Sequence, residues 1–539
     1  MPGLEEAFQR IGEALERQLP LTHAPGVALA VTDGDETLGA AVRGLANVDR
    51  GTPVTPTTRF QIASMSKSFA GLVAVQEAVA GRLDLAASIN DVIAWLELPE
   101  PFGPVTVHHL LTHTAGLASG SDLAPWGIAD VVQLRNEPPV WAPGTRAHYS
   151  NAGWKLVGMA LEHVTGTPIA PLLTERVLGP LGMTDSEAWL HDVQRTDAAT
   201  GYMPVRTDRP AHLEQPLGPG IWQTSVTADG SIVSTVVDMC AYLRAVLARG
   251  APLVDDDGFA RWVGPHEDAE DAGERYGYGW VVHEVDGHRT IRHTGTNIGF
   301  NGLMAVRPDQ GLGLVVLLNG WGERTAVARY AFDVVAAAIG GEPLPEVPAI
   351  AAADEVADAD TYEGTFVGHG RRVVLRREGT GVLLEAGPVG VRLEHLGDLL
   401  IAPHPSLELY PLITERDASG QVVALGHGPS RYVRDGHEPA AVDDPSRHTE
   451  PLNAWSTIEG AYRGESPWVP LVRVYARGGR LFALYPVYGE EEELYPLDDG
   501  SFALTTSDGP ERLRFDQVVD GRAQRLTHSG AAWFRSFES

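Results

Sequence analysis

Hydrophobic and polar residues follow two different periods near the start of the chain. Residues 1–21 alternate charged and apolar positions as an amphipathic helix does. Gly26–Thr32 and Thr37–Leu45 then follow the pattern of β-strands, and the intervening Asp33-Gly34-Asp35 is typical of a tight turn. The pattern therefore predicts a surface helix followed by a β-hairpin.

A second helix is predicted from the region of Ser64 to the break at Gly81. Residues 85–285 mix short helices with loops rich in proline and glycine, which suits a helical subdomain with loops that line a substrate site. The later elements are strands at Thr290–Thr294, Gly299–Val306 and Leu312–Leu318 and a helix at Ala326–Ile339. Strands at both ends of the segment, with helices between them, predict an α/β domain whose antiparallel sheet combines distant parts of the chain.

A linker is predicted at 343–360, because Gly341–Asp360 contains three prolines and an Ala/Asp/Glu run without a helical face. Beyond it, Thr361–Gly368 is echoed 96 residues later by Thr457–Gly464. Each copy leads into a hairpin pattern and ends in an aromatic strand, at Tyr432 or at Trp533. We expect a catalytic domain over 1–342, then two small antiparallel β-barrels of lipocalin-like form over 361–436 and 454–539, joined by a second linker at 437–453.

The composition is that of a globular protein, with 43% hydrophobic residues in a chain of 539. The 41 basic and 71 acidic side chains give a net charge of -30, which disfavours binding to nucleic acid or to an anionic membrane. The single cysteine, Cys240, excludes an internal disulfide and a cysteine-based metal site, and its apolar neighbours indicate a core thiol. No export signal or apolar run of membrane-spanning length is visible, so we expect a cytoplasmic protein.

Lysine is nearly absent, since only Lys67 and Lys155 occur against 39 arginines. Lys67 follows Ser64 by three positions, and the segment Ser64-Met65-Ser66-Lys67 fits the S-x-x-K pattern. On a helix this spacing puts the hydroxyl and the amine on one face. Arginine could not replace this lysine, because a guanidinium stays protonated whereas a desolvated amine can release its proton and act as the base for a serine.

Two further motifs fit the same site. In Tyr149-Ser150-Asn151, a phenol beside an ammonium can relay a proton and the asparagine amide can hold a substrate amide. His293-Thr294-Gly295 ends a predicted strand, where the glycine would let a substrate lie against the backbone as an added strand. Each triplet is a weak signal alone, and their order after S-x-x-K makes the set specific.

Together these motifs resemble those of the serine β-lactamase and penicillin-binding-protein-like hydrolases, in particular the class C-like branch. Thr106–Leu117, Gly81–Leu85 and Pro180–Asp185 resemble further segments of that family, and the likeness covers roughly residues 5–340. It implies a β-lactamase-like transpeptidase fold, with an antiparallel sheet flanked by helices and a helical subdomain. The two trailing barrels are similar to the three-domain layout of D-aminopeptidases, which is an analogy at the level of the fold.

The resemblance also implies roles for individual residues. Ser64 would be the acyl-forming nucleophile, Lys67 its proton acceptor and Tyr149 the proton relay to the leaving group. The backbone N–H groups of Ser64 and Thr296 would form an oxyanion hole, which in comparable hydrolases lowers the barrier by about 3 kcal/mol per donor. His293 completes the candidate catalytic set, and Asn151, Gly295 and Thr296 form the candidate substrate-binding set.

His293 departs from the pattern, because many penicillin-recognising members have lysine there, although some DD-peptidases and D-aminopeptidases have histidine. A neutral imidazole holds a substrate carboxylate more weakly than an ammonium does. We therefore expect a serine hydrolase of D-amino-acid peptides or amides. A carboxylesterase, a β-lactamase or DD-carboxypeptidase, and a non-catalytic peptide-binding protein are the alternatives.

The expected partner is a small peptide, amide or ester substrate, with no metal or organic cofactor, and the sequence leaves the oligomeric state open. His108, His109 and His113 lie in a helix-and-turn segment that is structural in the family, which argues against a metal site. Lys155 is interpreted as a solvated helix residue. The run Glu490–Glu493 is interpreted as a solvated loop, with the sharper hypothesis that it lies at the mouth of the active site and favours a substrate's ammonium group.

Overall fold

A computed structural model of the chain describes residues 2–120, 128–190, 192–222, 224–349, 352–396, 399–437, 455–506, 508–528 and 530–536. The chain divides into two units, the first made of Met1–Met203 and Gly218–Ile350 and the second of Pro204–Leu217 and Ala351–Ser539. The segment Pro204–Leu217 thus groups with the C-terminal half of the chain. The predicted linker at 437–453 lies, apart from residue 437, outside the described residues.

The first 340 residues contain ten α-helices and thirteen strands within the described ranges. The helices are α1 Pro2–Gln18, α2 Ser66–Val79, α3 Ile89–Val92, α4 Val107–Leu111, α5 Ile128–Gln133, α6 Asn151–Thr165, α7 Ile169–Leu173, α8 Val236–Leu247, α9 Asp256–Val263 and α10 Thr325–Gly340. The strands are β1 Gly26–Thr32, β2 Thr37–Asn47, β3 Thr52–Pro53, β4 Phe60–Gln61, β5 Tyr202–Pro204, β6 Leu217–Pro219, β7 Val233–Ser234, β8 Glu267–Asp268, β9 Arg275–Tyr276, β10 Val281–Val285, β11 His288–Asn297, β12 Phe300–Arg307 and β13 Leu312–Leu318.

Nine of these strands form one antiparallel sheet in the order β3-β2-β1-β13-β12-β11-β10-β9-β8. Strand β1 pairs with β13 near the middle of the sheet, so the N-terminal hairpin joins strands that follow almost 300 residues later. In their register Val27 lies opposite Leu318 and Ala30 lies opposite Val315. The predicted assembly of the sheet from distant parts of the chain is confirmed.

Side chains of β1 alternate between two hydrophobic cores. Val27, Leu29 and Val31 belong to the core that includes residues of α1 and α10. Ala28 and Ala30 belong to the core that includes residues of α2, α6 and α8. Because successive side chains of a strand face opposite sides of a sheet, helices on both faces bury β1 completely. This layering confirms the predicted α/β fold.

The sequence predicts these elements with errors mainly at their ends. Strands β1 and β13 occupy the predicted residues, whereas β2 extends to Asn47 and α1 ends at Gln18. Cys240 lies on α8 and is buried, and that burial raises the pKa of its thiol to about 12. The expected core thiol is therefore confirmed.

The interpretation of Lys155 as a solvated residue is wrong. Lys155 lies on α6 with only 4% of its surface exposed, and its Nζ donates to Oδ2 of Asp130 on α5. Asp130 is buried as well. Two buried opposite charges need each other, since either one alone would remain desolvated without compensation. Both lysines of the chain are therefore buried, because Lys67 is also inaccessible.

The second unit consists of antiparallel strands. They are β14 Gly364–Gly368, β15 Arg371–Glu378, β16 Gly381–Ala386, β17 Val389–Arg392, β18 Glu394–Leu396, β19 Leu399–Ile401, β20 Ile413–Arg416, β21 Val422–His427, β22 Ser430–Arg434, β23 Gly460–Gly464, β24 Leu471–Arg477, β25 Arg480–Tyr485, β26 Glu490–Pro496, β27 Phe502–Leu504, β28 Arg512–Val519, β29 Arg522–His528 and β30 Ala531–Ser536. The last eight close into the predicted barrel. The barrel predicted for 361–436 is not closed within the described residues. Its strands form a seven-stranded sheet in the order β17-β16-β15-β14-β22-β21-β20, while β18 and β19 pair with each other in a separate hairpin and do not join β17 to β20.

The sequence repeat corresponds to a repeated arginine contact. In the first copy, the Arg434 guanidinium donates to the carbonyls of Thr361, Glu363 and Val422 and lies over the Phe366 ring. In the second copy, Arg535 donates to the carbonyls of Thr457, Glu459 and Ala523 and lies over the Tyr462 ring. The planar guanidinium thus ties the last strand of each repeat to the segment that opens it.

The interpretation of Glu490–Glu493 as a solvated loop is also wrong, because these residues begin strand β26. Arg477 Nη1 donates to Oε2 of Glu491 at 2.8 Å, and Arg480 Nε donates to Oε1 of Glu493 at 2.7 Å. These two carboxylates therefore tie β26 to its neighbour β25 and to β24, the next strand of the barrel. No helix within the described residues is long and apolar enough to cross a membrane.

Replacing Lys155 by methionine would leave the Asp130 carboxylate buried without its cation. We expect the free energy of unfolding of the first unit to fall by about 3–5 kcal/mol, as when one partner of a buried ion pair is removed. Differential scanning calorimetry of the full chain measures this as a lower transition temperature. The double variant Asp130→Asn/Lys155→Met should recover much of the loss, and an unchanged transition in the single variant would contradict the prediction.

Candidate active site

Ser64 lies where the chain passes from a 3₁₀ turn into helix α2. The turn covers Ala63–Met65, and α2 continues from Ser66. Ala63 has a φ of 50°, a left-handed conformation that costs a residue with a side chain about 1–3 kcal/mol. The predicted placement of the serine at a helix start is confirmed, and a strained residue directly precedes it.

Lys67 places its amine beside Ser64 and surrounds it with oxygen atoms. Nζ lies 3.0 Å from Ser64 Oγ, 2.7 Å from Asn151 Oδ1 and 3.0 Å from the carbonyl oxygen of Asp229. The amide and carbonyl oxygens can only accept hydrogen bonds, so they take two of the amine's N–H groups. In a neutral amine the third direction is the lone pair, and that direction leads to the Ser64 hydroxyl.

Tyr149, Ser150 and Asn151 take their positions from the start of α6. The Ser150 hydroxyl accepts from the backbone N–H of Gly153 at 3.0 Å and so caps the helix. The same hydroxyl donates to the carbonyl of Ala118 at 2.7 Å. Because Asn151 is the first residue of the helix, this cap fixes the amide that reaches Lys67. The middle residue of the Y-x-N motif is therefore structural.

Two contacts hold the ring of Tyr149 and a third holds its backbone. Lys67 Nζ lies 4.8 Å from its centroid, and the imidazole of His113 stacks on it with centroids 4.1 Å apart and planes 26° apart. Its backbone N–H donates to Oε1 of Glu270 at 2.9 Å. These contacts keep the phenol next to the amine, as a proton relay between them requires.

Strand β11 brings Gly295 and Thr296 to the turn that carries Ser64. A Cβ atom on Gly295 would lie 2.2 Å from the carbonyl oxygen of Ile62, which is closer than any real contact. Only glycine therefore lets the strand approach this turn. Gly295 pairs with Gly302 and Thr296 with Asn301 on β12. The strand is thus held against the turn that carries Ser64, as the predicted oxyanion role of the Thr296 backbone requires.

His293 belongs to a buried hydrogen-bonded chain. Its Nδ1 lies 2.6 Å from the carbonyl oxygen of Thr294, which can only accept, so Nδ1 carries the proton. Its Nε2 is therefore the acceptor for the Tyr276 hydroxyl at 2.9 Å. The Tyr276 oxygen in turn lies 3.2 Å from Nε2 of His113, whose Nδ1 accepts from the backbone N–H of Ser150 at 2.9 Å.

Both histidines in this chain are held neutral. Burial, followed by the nearby Lys67 charge, lowers the pKa of His293 to about 3. Burial, followed by the charges of Lys67, His293 and His148, lowers the pKa of His113 well below its usual value. His293 is neutral, and both of its ring nitrogens already form hydrogen bonds within the protein. It therefore offers a substrate neither a positive charge nor a free N–H group. Its catalytic role remains a prediction, and its observed contacts are those of a residue that supports the site.

Three contributors to the site were not predicted from the sequence: the carbonyl of Asp229, His113 and Tyr276. The carbonyl of Asp229 leaves no sequence signal, because any residue supplies one. His113 stands in the predicted helix-and-turn signature, and Tyr276 stands in the pattern Tyr276-Gly277-Tyr278-Gly279-Trp280, whose alternating glycines and aromatic residues could have marked it.

The three histidines considered for a metal site have other partners. His108 contacts the Tyr278 hydroxyl, and His109 Nδ1 accepts from the backbone N–H of Thr106. Among the described residues, no group of three or more His, Cys, Asp or Glu side chains could hold a metal ion.

Residues 13–338 match the protein-family model described as Beta-lactamase, which spans well over half of the chain. The chain belongs to the beta-lactamase family. Among curated members, it is 26% identical to penicillin-binding protein 4 of Amycolatopsis lactamdurans over 371 residues, which cover 64% of this chain and 93% of that protein. A second relative, the unguisins hydrolase ungD' of Aspergillus campestris, is 25% identical over 342 residues, which cover 58% of this chain and 61% of that protein. The chain thus spans less than two thirds of that relative's length.

Solved beta-lactamase-family structures share the fold. An octameric penicillin-binding protein homologue from Pyrococcus abyssi aligns with a TM-score of 0.58 and 23% identity, over 80% of this chain and 99% of that one. The D-amino acid amidase of Ochrobactrum anthropi SV3 aligns with a TM-score of 0.53 and 23% identity, over 63% of this chain and 99% of that one. At this identity the likeness establishes the fold alone.

Substituting Gly295 by alanine should reduce activity strongly without unfolding the protein. The new Cβ would push β11 away from the Ser64 turn and misplace one oxyanion donor, so we expect kcat to fall by about 100-fold or more. Steady-state kinetics on any turned-over substrate measure the effect. Gly34→Ala is the matched control, because a Cβ on Gly34 meets nothing within 4 Å. Equal kinetics in both variants would contradict the assignment of Gly295.

The two neutral histidines predict a loss of stability in acid. In the unfolded chain both have a pKa near 6.5, so below that pH the unfolded state binds two protons that the folded state does not. Unfolding should become easier by up to about 1.4 kcal/mol per pH unit for each histidine, down to the pKa of the folded state. Denaturant titrations between pH 7.5 and 4.5 measure the slope.

His293→Gln removes one of the two titrating groups. It should remove about half of what His113 and His293 together contribute to the change in the free energy of unfolding per pH unit. A slope that the substitution leaves unchanged would show that other groups control the acid limit.

Proposed function

We propose that the protein is a serine hydrolase that acts through an acyl-enzyme on small peptides or amides containing D-amino acids. The observation that carries the proposal is the surroundings of Lys67. Two obligate acceptors bind its N–H groups, and the remaining direction leads to Ser64 Oγ at 3.0 Å. In its neutral form such an amine directs its lone pair at the Ser64 hydroxyl and is oriented to take the serine proton.

The reaction then has balanced steps. Ser64 Oγ attacks the substrate carbonyl carbon while its proton moves to Lys67 Nζ, and the carbonyl oxygen becomes an oxyanion facing the backbone N–H groups of Ser64 and Thr296. The C–N bond breaks, and the departing amine receives a proton through the Tyr149 hydroxyl, which regains one from Lys67. Water then attacks the carbonyl carbon of the acyl-enzyme and gives a proton to Lys67 Nζ. As the C–O bond to Ser64 breaks, Lys67 returns that proton to Ser64 Oγ, which releases the acid and regenerates both residues.

The state of His293 supports a preference for substrates without a carboxylate at that subsite. A lysine at this position would supply a fixed positive charge, whereas His293 is neutral above a pH of about 3 and uses both nitrogens internally. A β-lactam or a peptide with a free C-terminal carboxylate would find no counter-charge from this residue. Amides and esters that lack such a carboxylate do not need a counter-charge at this position, so a neutral His293 does not weaken their binding.

Among relatives of the same fold, one is described as a D-amino acid amidase and another as a penicillin-binding protein homologue. The amidase description agrees with the proposed substrate class. The same serine, lysine and tyrosine chemistry also serves ester hydrolysis, so the choice between amide and ester must come from rates.

Rates of four substrates test the proposal: D-alanine p-nitroanilide, its L-isomer, N-acetyl-D-alanine p-nitroanilide and p-nitrophenyl butyrate. We expect kcat/KM for the D-amide to exceed that of the L-isomer by at least 30-fold. We also expect nitrocefin, which carries a carboxylate, to react at least 100-fold more slowly than the D-amide. The Ser64→Ala variant should lose all of these activities by a factor of about 10⁴ or more.

Turnover of the ester alone would replace the amide proposal with a carboxylesterase. Turnover that survives Ser64→Ala would refute the acyl-enzyme mechanism. Absence of a serine adduct in intact-mass spectra after incubation with a slow acylating probe would favour a non-catalytic peptide-binding protein.

A further inference from the structure

Asp229 is a buried residue with one carboxylate oxygen, Oδ1, that lacks a hydrogen-bond partner among the described residues. Only 4% of the Asp229 surface is exposed. A buried carboxylate without compensation is costly, and buried polar groups in proteins are nearly always paired. An unpaired carboxylate oxygen next to a candidate active site therefore suggests that a ligand supplies the missing hydrogen-bond donor.

A second unpaired oxygen lies two residues earlier. Thr227 is 8% exposed, and its Oγ1 likewise has no hydrogen-bond partner within the described ranges. Both side chains belong to the loop that precedes β7. Oδ1 of Asp229 and the Thr227 hydroxyl are therefore two unsatisfied oxygen atoms in one short buried segment, and a ligand with its own N–H groups would supply the donors that they lack.

This segment runs beside the candidate nucleophile. The carbonyl oxygen of Asp229 and Ser64 Oγ both lie 3.0 Å from Lys67 Nζ, so they are within about 6 Å of each other. Further along the same segment, the N–H of Ile232 donates to Ser66 Oγ at 3.2 Å. The backbone of Asp229 therefore lies beside the candidate nucleophile, and its side chain branches from that position.

The carboxylate is not simply the counter-ion of Lys67. The amine already contacts Ser64 Oγ, Asn151 Oδ1 and the backbone of Asp229, and no hydrogen bond joins it to the Asp229 carboxylate in the structure. Asp238 shows, by contrast, how a buried carboxylate with a structural role is satisfied by hydrogen-bond donors in this chain. Oδ2 of Asp238 accepts from the Ser186 hydroxyl at 2.7 Å and from the backbone N–H of Asp185 at 2.9 Å.

We propose that Asp229, assisted by Thr227, binds the free α-ammonium group of the substrate. The inference rests on the proposed function and narrows its substrate class to amides whose acyl residue has an unblocked amino group. In such a substrate the ammonium nitrogen is two bonds from the carbonyl carbon that Ser64 attacks. A carboxylate that binds it must therefore belong to a residue close to Ser64, and the backbone oxygen of Asp229 lies within about 6 Å of Ser64 Oγ. Its three N–H donors would satisfy the acceptors that the protein leaves unpaired.

Binding to a Ser64→Ala background tests the site apart from hydrolysis. Isothermal titration with D-alanine amide and with N-acetyl-D-alanine amide compares the charged and the blocked amine. We expect the free amine to bind at least tenfold more tightly, and Asp229→Asn to abolish that preference. Thr227→Val should weaken it by about threefold.

Kinetics on the otherwise unmodified chain give a second readout. Asp229→Asn should lower the ratio of kcat/KM for D-alanine p-nitroanilide to that for its N-acetyl form by at least 30-fold. Asp238→Asn is the matched control, because it neutralises a buried carboxylate that already has partners, and it should leave this ratio unchanged. The Asp229→Asn protein should melt at the same temperature as the parent or higher, since it loses an uncompensated buried charge.

Equal losses for free and acetylated substrates in Asp229→Asn would overturn the inference and show that the carboxylate only tunes Lys67. Equal binding of the two amides to Ser64→Ala would overturn it as well. If the free amine binds in an Asp229-dependent way but no amide is hydrolysed, the ammonium site stands and the proposed hydrolysis of D-amides fails.

Discussion

A lysine side chain removed from water needs acceptors, and Lys67 finds them in three separate parts of the chain. Ser64 comes from the turn before α2, Asn151 from the first residue of α6, and the Asp229 carbonyl from the loop before β7. The amine can occupy this place only if all three segments are packed together. The large core that contains α2 and α6 therefore fixes the catalytic geometry as well as the stability of the first unit.

The parts of this site that the sequence predicts are those whose interacting residues lie close together along the chain. Ser64 and Lys67 could be paired from spacing alone, because one helical turn joins them. Residues of the Y-x-N and H-x-G motifs could be placed at the same site only through family resemblance. The hydrogen-bonded chain of His113, Tyr276 and His293 could not be predicted, since it depends on which buried atoms meet. The error for Lys155 has the same cause, because helical periodicity does not reveal that Asp130 on another helix faces it.

For the fold as well, local features were predictable from the sequence and long-range contacts were not. Strands that are short apolar runs bounded by turn residues, such as β1 and β13, were predictable to the residue. The repeat in the C-terminal half predicted two closed barrels, and within the described residues only the second copy closes. The sequence gives both repeats an arginine near the end of the last strand, at Arg434 and Arg535, yet the carbonyls they bind become known only from the structure. No local pattern indicated that Pro204–Leu217 would group with the second unit, because that depends on tertiary contacts rather than on local propensity.

Burial of both lysines has a chemical consequence for the outside of the protein. Its surface cations are guanidinium groups, which are poor nucleophiles, and the chain presents no accessible ε-amine. Acylation, ubiquitin-like conjugation and amine-directed cross-linking therefore have no lysine side chain to modify on the folded molecule. A single lysine introduced at an exposed arginine position would accordingly be a unique site for attaching a label or a solid support.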